Sequence, residues 1–297
     1  MYRIPLPEEF AATAFAVSEA RADGIPANRL RSRRLARPFH GIRSPNPPEE
    51  GVLARCAQLA PRLRGHQIFS HLSAAAIWEL PLPAWCAYRP LEVCALWGAR
   101  EPRTEGVIGH RHTFDATEVT LVHGMPVPPP ALVWAQCAEH LALEDLIAMA
   151  DAILSRGMAA PDELAASIRR GHRGAVTARA ALAEARAGSE SPRETFTRLA
   201  LVRAGLPEPE LNIDLRRSDG RFVARLDLAY RRWKVCVEYD GRQHSTGLQF
   251  ARDADRWSDI AAEGWLIVRV LAHHFDDPNH GIVARTRAAL ASRGYPD

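Results

Sequence analysis

Lysine is almost absent from this sequence, and the scarcity decides which side chain carries the positive charge. Lysine and arginine together number 38 among 297 residues, and Lys234 is the only lysine. Arginine suits bidentate contacts with phosphate, although a GC-rich genome would produce the same bias. The net charge is only +3, so affinity for nucleic acid has to come from local clusters of arginine.

Membrane, secretion and thiol-metal signals are also missing. No apolar run approaches the roughly 20 residues of a membrane span, and the opening MYRIPLPEEF lacks the charged-then-apolar order of a signal peptide. The five cysteines form no CxxC pair. They are Cys56, Cys86, Cys94, Cys137 and Cys236. This usage argues against a zinc site and predicts reduced, buried thiols in a cytoplasmic protein with no membrane partner.

Length and composition describe a chain of about two domains. Hydrophobic residues make up 47% and charged residues 25%, which is ordinary for a globular protein. Local pattern predicts three segments, 1–45, 50–187 and 189–297, with the proline-rich PNPPEE as the first linker. No glycine-rich phosphate loop or nucleophile motif supports a small-molecule enzyme.

The first segment has a helix-turn-helix layout. Helical periodicity over 8–22, a turn at Asp23–Pro26 and a second helix over 28–37 are followed by PFHGIR, a candidate wing strand. Its arginines predict contacts with DNA phosphates. The candidates are Arg29, Arg31, Arg33 and Arg34. A solvated arginine face explains the same run equally well.

The middle segment carries no catalytic motif. The pattern predicts a helix at 71–80 and strands at 90–97, 106–112 and 118–122. Further helices are expected at 131–141, 143–154, 161–170 and 175–187. The histidines His110, His112 and His123 lie near strand ends, but no acidic or cysteine partner has convincing spacing. We therefore expect surface or core histidines in preference to a metal site.

The last segment predicts the order αβββαβα, in an α/β (α+β) protein. The elements are a helix from 191, strands at 211–216, 223–230 and 235–239, a helix at 247–263, a strand at 265–271 and a helix at 280–292. Ser191, Pro192 and Glu194 have the spacing of an N-cap, a first-turn proline and a capping-box acid.

Carboxylates interrupt strands that should be apolar. Asp227 breaks the first strand of the predicted hairpin, and Glu238 and Asp240 break the second. Alternate strand residues share a face, so Glu238 and Asp240 lie together, and pairing can bring Asp227 to them. Buried carboxylates repel one another and resist desolvation, and a cation removes both problems. Oxygen-only ligands favour Mg²⁺ or Mn²⁺.

These residues resemble the PD-(D/E)XK nuclease superfamily, and most closely its Vsr-like branch, which is similar to very short patch repair endonucleases. LDLAY followed by VCVEYDGRQH carries the resemblance, which extends over 189–297. It implies a restriction-endonuclease-like core and a metal-dependent DNA endonuclease. The lysine of the superfamily is replaced by Asp240. Lys234 lies about 13 Å along the strand from Glu238, too far to share one phosphate.

The resemblance implies a role for each matching residue. Asp227 is the central metal ligand, Glu238 is the second ligand or holds a metal-bound water, and Tyr239 ligates through its backbone carbonyl. Asp240 holds a second ion or orients a water in place of the lysine, and His244 is the general base or contacts the phosphate. Glu194 becomes an active-site acid, and this stands against the capping role. Phosphate contacts are assigned to Arg242, Gln243, Arg252 and Arg256.

The N-terminal and middle segments resemble AbiEi-type antitoxins, with a winged-helix-like start and a mixed α/β region. This implies a second function, that of a catalytically inactive nuclease-fold regulator that binds DNA. The helix-turn-helix layout favours the regulator, and the complete acidic set favours the endonuclease.

Overall fold

The structure is a computed structural model that describes residues 6–47, 50–111, 118–241 and 247–296, with side chains in the last range from residue 254 onward. The chain packs as two compact units. The first consists of Met1–Leu146 with Met158–Ala180, and the second of Ile147–Gly157 with Ala181–Asp297. The three-segment division is finer than these units and stays a prediction. In the part of the chain that is described, no helix is both long and apolar enough to cross a bilayer.

The first unit is built from short helices and small sheets. Its helices are α1 Val17–Ala22, α2 Ala27–Leu30, α3 Val52–Leu59, α4 His71–Ile77, α5 Pro130–Cys137, α6 Leu143–Ser155, α7 Pro161–Ser167 and α8 Ala175–Glu184, of which α6 and α8 end in the second unit. Its strands are β1 Phe15–Ala16, β2 Ile42–Arg43, β3 Gln67–Phe69, β4 Leu91–Ala95, β5 Val107–Arg111, β6 Thr120–Val122 and β7 Met125–Val127. In the central sheet, β4 pairs antiparallel with β3 and parallel with β5.

The N-terminal helices are shorter than predicted. The expected helix over 8–22 is wrong before Val17, because Phe15–Ala16 forms an antiparallel ladder with Ile42–Arg43. That ladder satisfies backbone groups which a helix would otherwise bond internally. The expected strand in PFHGIR is confirmed only at Ile42–Arg43.

The second N-terminal helix is also corrected. It ends at Leu30, well before the expected Arg37. Leu30 and Leu35 are both buried in one small core with Phe10 and Phe15. A spacing of five residues does not keep two side chains on one helix face, so burying both leucines requires the chain to leave the helix. The turn between α1 and α2 is made at Gly24, whose φ is +83°.

The second unit has the predicted order αβββαβα. Its elements are α9 Pro192–Arg203, β8 Glu210–Arg216, β9 Phe222–Tyr230, β10 Val235–Asp240, α10 Gly247–Ala262, β11 Leu266–Leu271, a π-helical turn Asn279–Ala284 and α11 Arg285–Ala291. The sheet order is β11-β10-β9-β8. Adjacent strands are antiparallel except β10 and β11, which are parallel and joined through α10. The α/β class is therefore confirmed.

Two apolar layers cover the faces of this sheet. Val235 and Val237 of β10 pack in one core with Leu201 of α9 and Leu290 of α11. Cys236, which lies between the two valines, packs in a second core with Ile260 of α10. Burying one such side chain contributes about 1.5–3 kcal/mol. The alternation places Glu238 and Asp240 on the α10 side of the sheet, as their spacing predicts.

Candidate functional site

The two carboxylates at the centre of the prediction lie side by side where the β9–β10 ladder ends. The last paired residues are Leu228 and Val237. One step further, the Asp227 N–H donates to Glu238 Oε1 at 3.1 Å, and the Tyr239 N–H donates to Asp227 Oδ2 at 3.0 Å. Each carboxylate therefore takes the place of a backbone acceptor on the strand opposite. The expected meeting of Asp227 and Glu238 occurs.

The shared position of these acids raises both pKa values. Burial is the main cause for Asp227, and the Glu238 charge adds to it, so that the pKa of Asp227 rises to about 7. Burial also raises the pKa of Glu238, while Arg256 opposes the shift. Glu194 raises the pKa of both groups by its negative charge. Burial and mutual repulsion therefore both disfavour the charged forms of this pair.

Glu194 fulfils the capping role and also acts on the acidic pair. Ser191 Oγ donates to Glu194 Oε1 at 2.8 Å, and the Glu194 N–H donates back to Ser191 Oγ at 3.3 Å. The other carboxylate oxygen accepts from the Glu190 N–H at 2.8 Å and from Asn212 Nδ2 at 2.6 Å. One orientation of this side chain makes the capping hydrogen bonds and keeps the carboxylate near Asp227, and its role as an active-site acid stays a prediction.

Asn212 is a site residue that the sequence pattern does not single out. It lies between Leu211 and Ile213, which pair with Leu228 and Leu226, so it stands opposite Asp227. Its φ is +48°, a left-handed conformation that asparagine tolerates better than most residues. The same amide nitrogen also donates to the Gly188 carbonyl at 2.7 Å. Asn212 thereby fixes Glu194 beside the acidic pair.

Asp240 has a cationic partner on the neighbouring strand. Arg269 Nη2 donates to Asp240 Oδ2 at 2.5 Å, and the Arg269 guanidinium lies over the Trp257 ring at 3.7 Å from its centroid. Arg269 is paired in register with Glu238, so it lies on the same face of the sheet. The Arg269 guanidinium therefore lies beside Asp240, the position at which the PD-(D/E)XK superfamily has its lysine.

Arg256 of α10 lies at the site and is already hydrogen-bonded to one of its two acids. Its Nη2 donates to Glu238 Oε2 and to the Arg225 carbonyl, both at 2.6 Å. Lys234 is bonded elsewhere, since its Nζ donates to the Glu263 carbonyl at 2.9 Å near the end of α10. This agrees with the prediction that it is too far along the strand to share a phosphate with Glu238. Arg242, Gln243 and His244 lie outside the described residues, and so does the side chain of Arg252.

The predicted DNA-contacting arginines of the first unit differ in exposure. Arg31, Arg33 and Arg34 are exposed, whereas Arg29 is half-buried. Arg31 also anchors the local turn, since its carbonyl accepts from Arg37 Nη2 at 3.1 Å. Their exposure is compatible with phosphate contacts and with a solvated face.

The three histidines singled out from the sequence have different surroundings. His123 is exposed and lies 3.1 Å from Glu79 Oε1, and His112 lies outside the described residues. His110 belongs to a cluster with His71 and Glu92, whose ligand atoms lie within 4.8 Å of one another. Burial and the His110 ring lower the pKa of His71 to about 3.

Glu92 is the cluster residue that the sequence could have revealed. It interrupts the apolar strand Leu91–Ala95 as Asp227 interrupts β9, and it is fully buried. Burial would raise the pKa of Glu92, but the His110 and His140 imidazoles outweigh it and bring the pKa to about 2. His71 and His140 gave no sequence signal, because they come from distant parts of the chain.

Two curated relatives match this chain over most of its length. They are the uncharacterized proteins MT2308 and Rv2248 of Mycobacterium tuberculosis, from strains CDC 1551 / Oshkosh and ATCC 25618 / H37Rv respectively. Each is 29% identical over 262 residues, which cover 87% of this chain and 90% of the relative. No protein-family model matches the chain, and no solved structure does.

Proposed function

We propose that this protein is a metal-dependent DNA endonuclease that hydrolyses phosphodiester bonds with Mg²⁺ or Mn²⁺, in DNA repair or defence. The observation that carries the proposal is the pair of half-buried Asp227 and buried Glu238, held at the end of a strand ladder by reciprocal hydrogen bonds. The order αβββαβα and the nearby Glu194 support a Vsr-like PD-(D/E)XK nuclease core.

The residues of the site fit a hard divalent cation. The donors are oxygen atoms, and the Arg256 guanidinium opposes the charges of Asp227 and Glu238. The raised pKa of Asp227 indicates uncompensated charge, which such a cation would relieve. Asp227, Glu238 and the Tyr239 carbonyl would hold the ion. When bound, it supplies polarisation of the phosphate and a more acidic water.

Protein groups around the acidic pair supply the remaining functions. Arg256, and Arg252 on the same helix, neutralise charge on the phosphate. Arg269 supplies a cation beside Asp240, where the superfamily lysine would act. Glu194, held by Ser191 and Asn212, adds a third carboxylate near Asp227. His244 takes the proton of the attacking water as the general base.

A cleavage assay tests this proposal. Single-stranded, duplex and mismatched DNA would be incubated with Mg²⁺ or Mn²⁺ and wild-type protein, Asp227→Asn or Asp214→Asn. Asp214 is a matched control, because it is an exposed aspartate on β8, bonded to Arg216 at 3.2 Å. Cleavage by wild type and Asp214→Asn, but not by Asp227→Asn, supports the proposal. Absence of wild-type cleavage on every DNA form with either ion would overturn it.

The second candidate is a catalytically inactive, antitoxin-like regulator that binds DNA. The observation that favours it is a cleft of about 760 Å³ in the first unit, lined by Arg62, Arg64, Arg100 and Arg103. Four guanidiniums against Glu19 and Glu101 give it a positive balance that suits phosphate. DNA binding without cleavage, weakened by Arg62→Ala with Arg64→Ala, would identify this function.

We place the protein in the cytoplasm in either case. All five cysteines are free and buried, which agrees with the thiols of a reducing compartment.

A further inference from the structure

Three imidazoles and two carboxylates converge inside the first unit, from four separate parts of the chain. His71 is the first residue of α4, Glu92 lies on β4 and His110 on β5, and Glu139 and His140 follow α5. The unit is distinct from the one that holds Asp227 and Glu238. Nothing in the proposed nuclease or regulator uses these five residues.

The ligand atoms of this cluster are close together. Glu92 Oε1 lies 3.5 Å from His110 Nε2 and 3.0 Å from His140 Nε2. Glu139 Oε1 lies 3.5 Å from His71 Nε2 and 3.2 Å from His140 Nε2. The His71 ring is stacked on His110, with centroids 3.9 Å apart. His71 thereby joins two groups of three residues, His71–Glu92–His110 and His71–Glu139–His140.

Polar atoms at the centre of the cluster lack hydrogen-bond partners. They are Glu92 Oε1, His110 Nε2 and His140 Nε2. The distances are short enough for the imidazoles to act on the carboxylate, but none of these contacts has the geometry of a good hydrogen bond. The Glu92 side chain is only 1% exposed, and a buried polar atom without a partner is costly. The arrangement indicates that something else satisfies Glu92 Oε1.

The surrounding hydrogen bonds hold the ligands in place. Glu92 Oε2 accepts from the Leu72 N–H at 2.9 Å, which leaves Oε1 directed at the imidazoles. His71 Nδ1 lies 3.0 Å from Ser70 Oγ, and the His71 N–H donates to Gln136 Oε1 at 3.0 Å. An imidazole whose Nδ1 donates a proton presents the lone pair of Nε2. Such outer contacts are typical of metal-ligating histidines.

We propose that this cluster binds one Zn²⁺ ion through His71, Glu92 and His110, whose ligand atoms lie within 4.8 Å of one another, with His140, whose Nε2 lies 3.0 Å from Glu92 Oε1, as the fourth ligand. Tetrahedral zinc with bonds of about 2.0–2.1 Å separates its ligand atoms by roughly 3.3 Å. Glu92 Oε1 and its two histidine nitrogens are 3.0 and 3.5 Å apart, on either side of that value. Imidazole nitrogens favour zinc over Mg²⁺ or Ca²⁺. Glu139 contacts His140 and positions it.

The site has a structural role. Four protein ligands fill the tetrahedral shell and leave no open position for a substrate. The ion joins α4, β4, β5 and the segment after α5, which are brought together only by folding. Zinc binding therefore stabilises the folded unit.

Zinc titration of the metal-free protein tests the proposal. Because Asp227 and Glu238 can also bind cations, every variant carries Asp227→Asn. We expect one Zn²⁺ per chain at this site and a rise in Tm of about 5–10 °C at saturating zinc. Glu92→Gln and His110→Ala should raise the Kd for zinc by more than about 100-fold, since outer contacts alone account for about 10–100-fold. His123→Ala is the matched control, an exposed histidine of the same unit, and should bind like its parent.

The Asp227→Asn protein, which is the parent of these variants, also gives a test that needs no substitution in the zinc site. In competition with a chromophoric chelator it should retain zinc in preference to Mn²⁺, as imidazole ligands favour. A parent that takes up no zinc, or an unchanged zinc Kd in a folded Glu92→Gln variant, would show that the cluster is only a packed core of histidines and would overturn the proposal.

Discussion

Asp227 and Glu238 each complete the hydrogen bonding of the strand opposite. Glu238 Oε1 accepts from the Asp227 N–H at 3.1 Å, and Asp227 Oδ2 accepts from the N–H of Tyr239, the neighbour of Glu238, at 3.0 Å. The arrangement satisfies backbone donors where the β9–β10 pairing stops after Val237 and Leu228. It also brings half-buried Asp227 and buried Glu238 side by side, where their negative charges repel each other, and this repulsion motivates the first prediction.

Asp227→Asn should stabilise the metal-free protein at high pH. The pKa of Asp227 is about 7 in the folded protein, against about 3.9 in an unfolded chain. Between these values the folded state binds more protons, so wild-type stability falls as pH rises from about 4 to 7. The neutral amide avoids that loss. Thermal unfolding in a chelator measures the free energy of unfolding at pH 5 and at pH 8. At pH 8 the variant should exceed wild type by about 2–4 kcal/mol, and at pH 5 the difference should be smaller. A gain that is equal at both pH values, or that Asp214→Asn shares, would contradict the prediction.

Glu238→Gln should abolish cleavage and weaken Mn²⁺ binding in the second unit. Amides hold Mg²⁺ and Mn²⁺ less well than carboxylates do. The substitution also removes the charge partner of Arg256. Mn²⁺ titration and the DNA cleavage assay measure the two effects, with Asp214→Asn as the charge-matched comparison. Retention of wild-type cleavage would exclude Glu238 as a ligand.

His244→Ala should slow cleavage by roughly 10²–10⁴-fold if this residue is the general base. The variant keeps Asp227 and Glu238, so its affinity for Mn²⁺ should match that of wild type. The pH dependence of the residual rate should lose the limb that histidine deprotonation causes. A cleavage rate within a factor of a few of the wild-type rate would show that His244 is not the general base.

Replacing Arg31, Arg33 and Arg34 together with alanine should weaken DNA binding and its salt dependence. Each lost phosphate contact lowers the slope of log K against log salt by about 0.9 on duplex DNA. The loss of three contacts should therefore lower that slope by up to about 2.7. The comparison is the triple variant of Arg169, Arg170 and Arg173, which are exposed arginines of the same unit. Equal slopes in both triple variants would mean that the N-terminal arginines form a solvated face.

Asp151→Ala should destabilise the second unit by about 3–5 kcal/mol. Asp151 Oδ2 accepts from Arg198 Nη2 and Thr195 Oγ1, and Asp151 Oδ1 accepts from the Arg186 N–H. Its side chain and that of Arg198 are 1% and 2% exposed, so the substitution leaves a buried charge without this partner. Urea unfolding measures the loss. Asp255→Ala, at an exposed position of α10, should change stability by no more than about 0.5 kcal/mol.

Local sequence patterns are enough to predict the order of elements in the second unit and its two central carboxylates. Alternation with period two marks β9 and β10, and the hairpin between them is local, so Asp227 and Glu238 meet through neighbouring parts of the chain. The capping box at Ser191 and Glu194 is likewise a local signal. The secondary structure that a local pattern predicts is kept in the folded protein when tertiary contacts favour the same structure.

Tertiary structure alone decided which distant residues complete each site. Asn212 reaches Glu194, and Arg269 reaches Asp240, only because sheet pairing sets their register. The β1–β2 ladder shortens the first N-terminal helix for the same reason, since pairing with a distant strand outweighs helical periodicity. His71, Glu92, His110 and His140 have no common spacing in the sequence. Their convergence depends on the packing of four elements, which a one-dimensional pattern does not record.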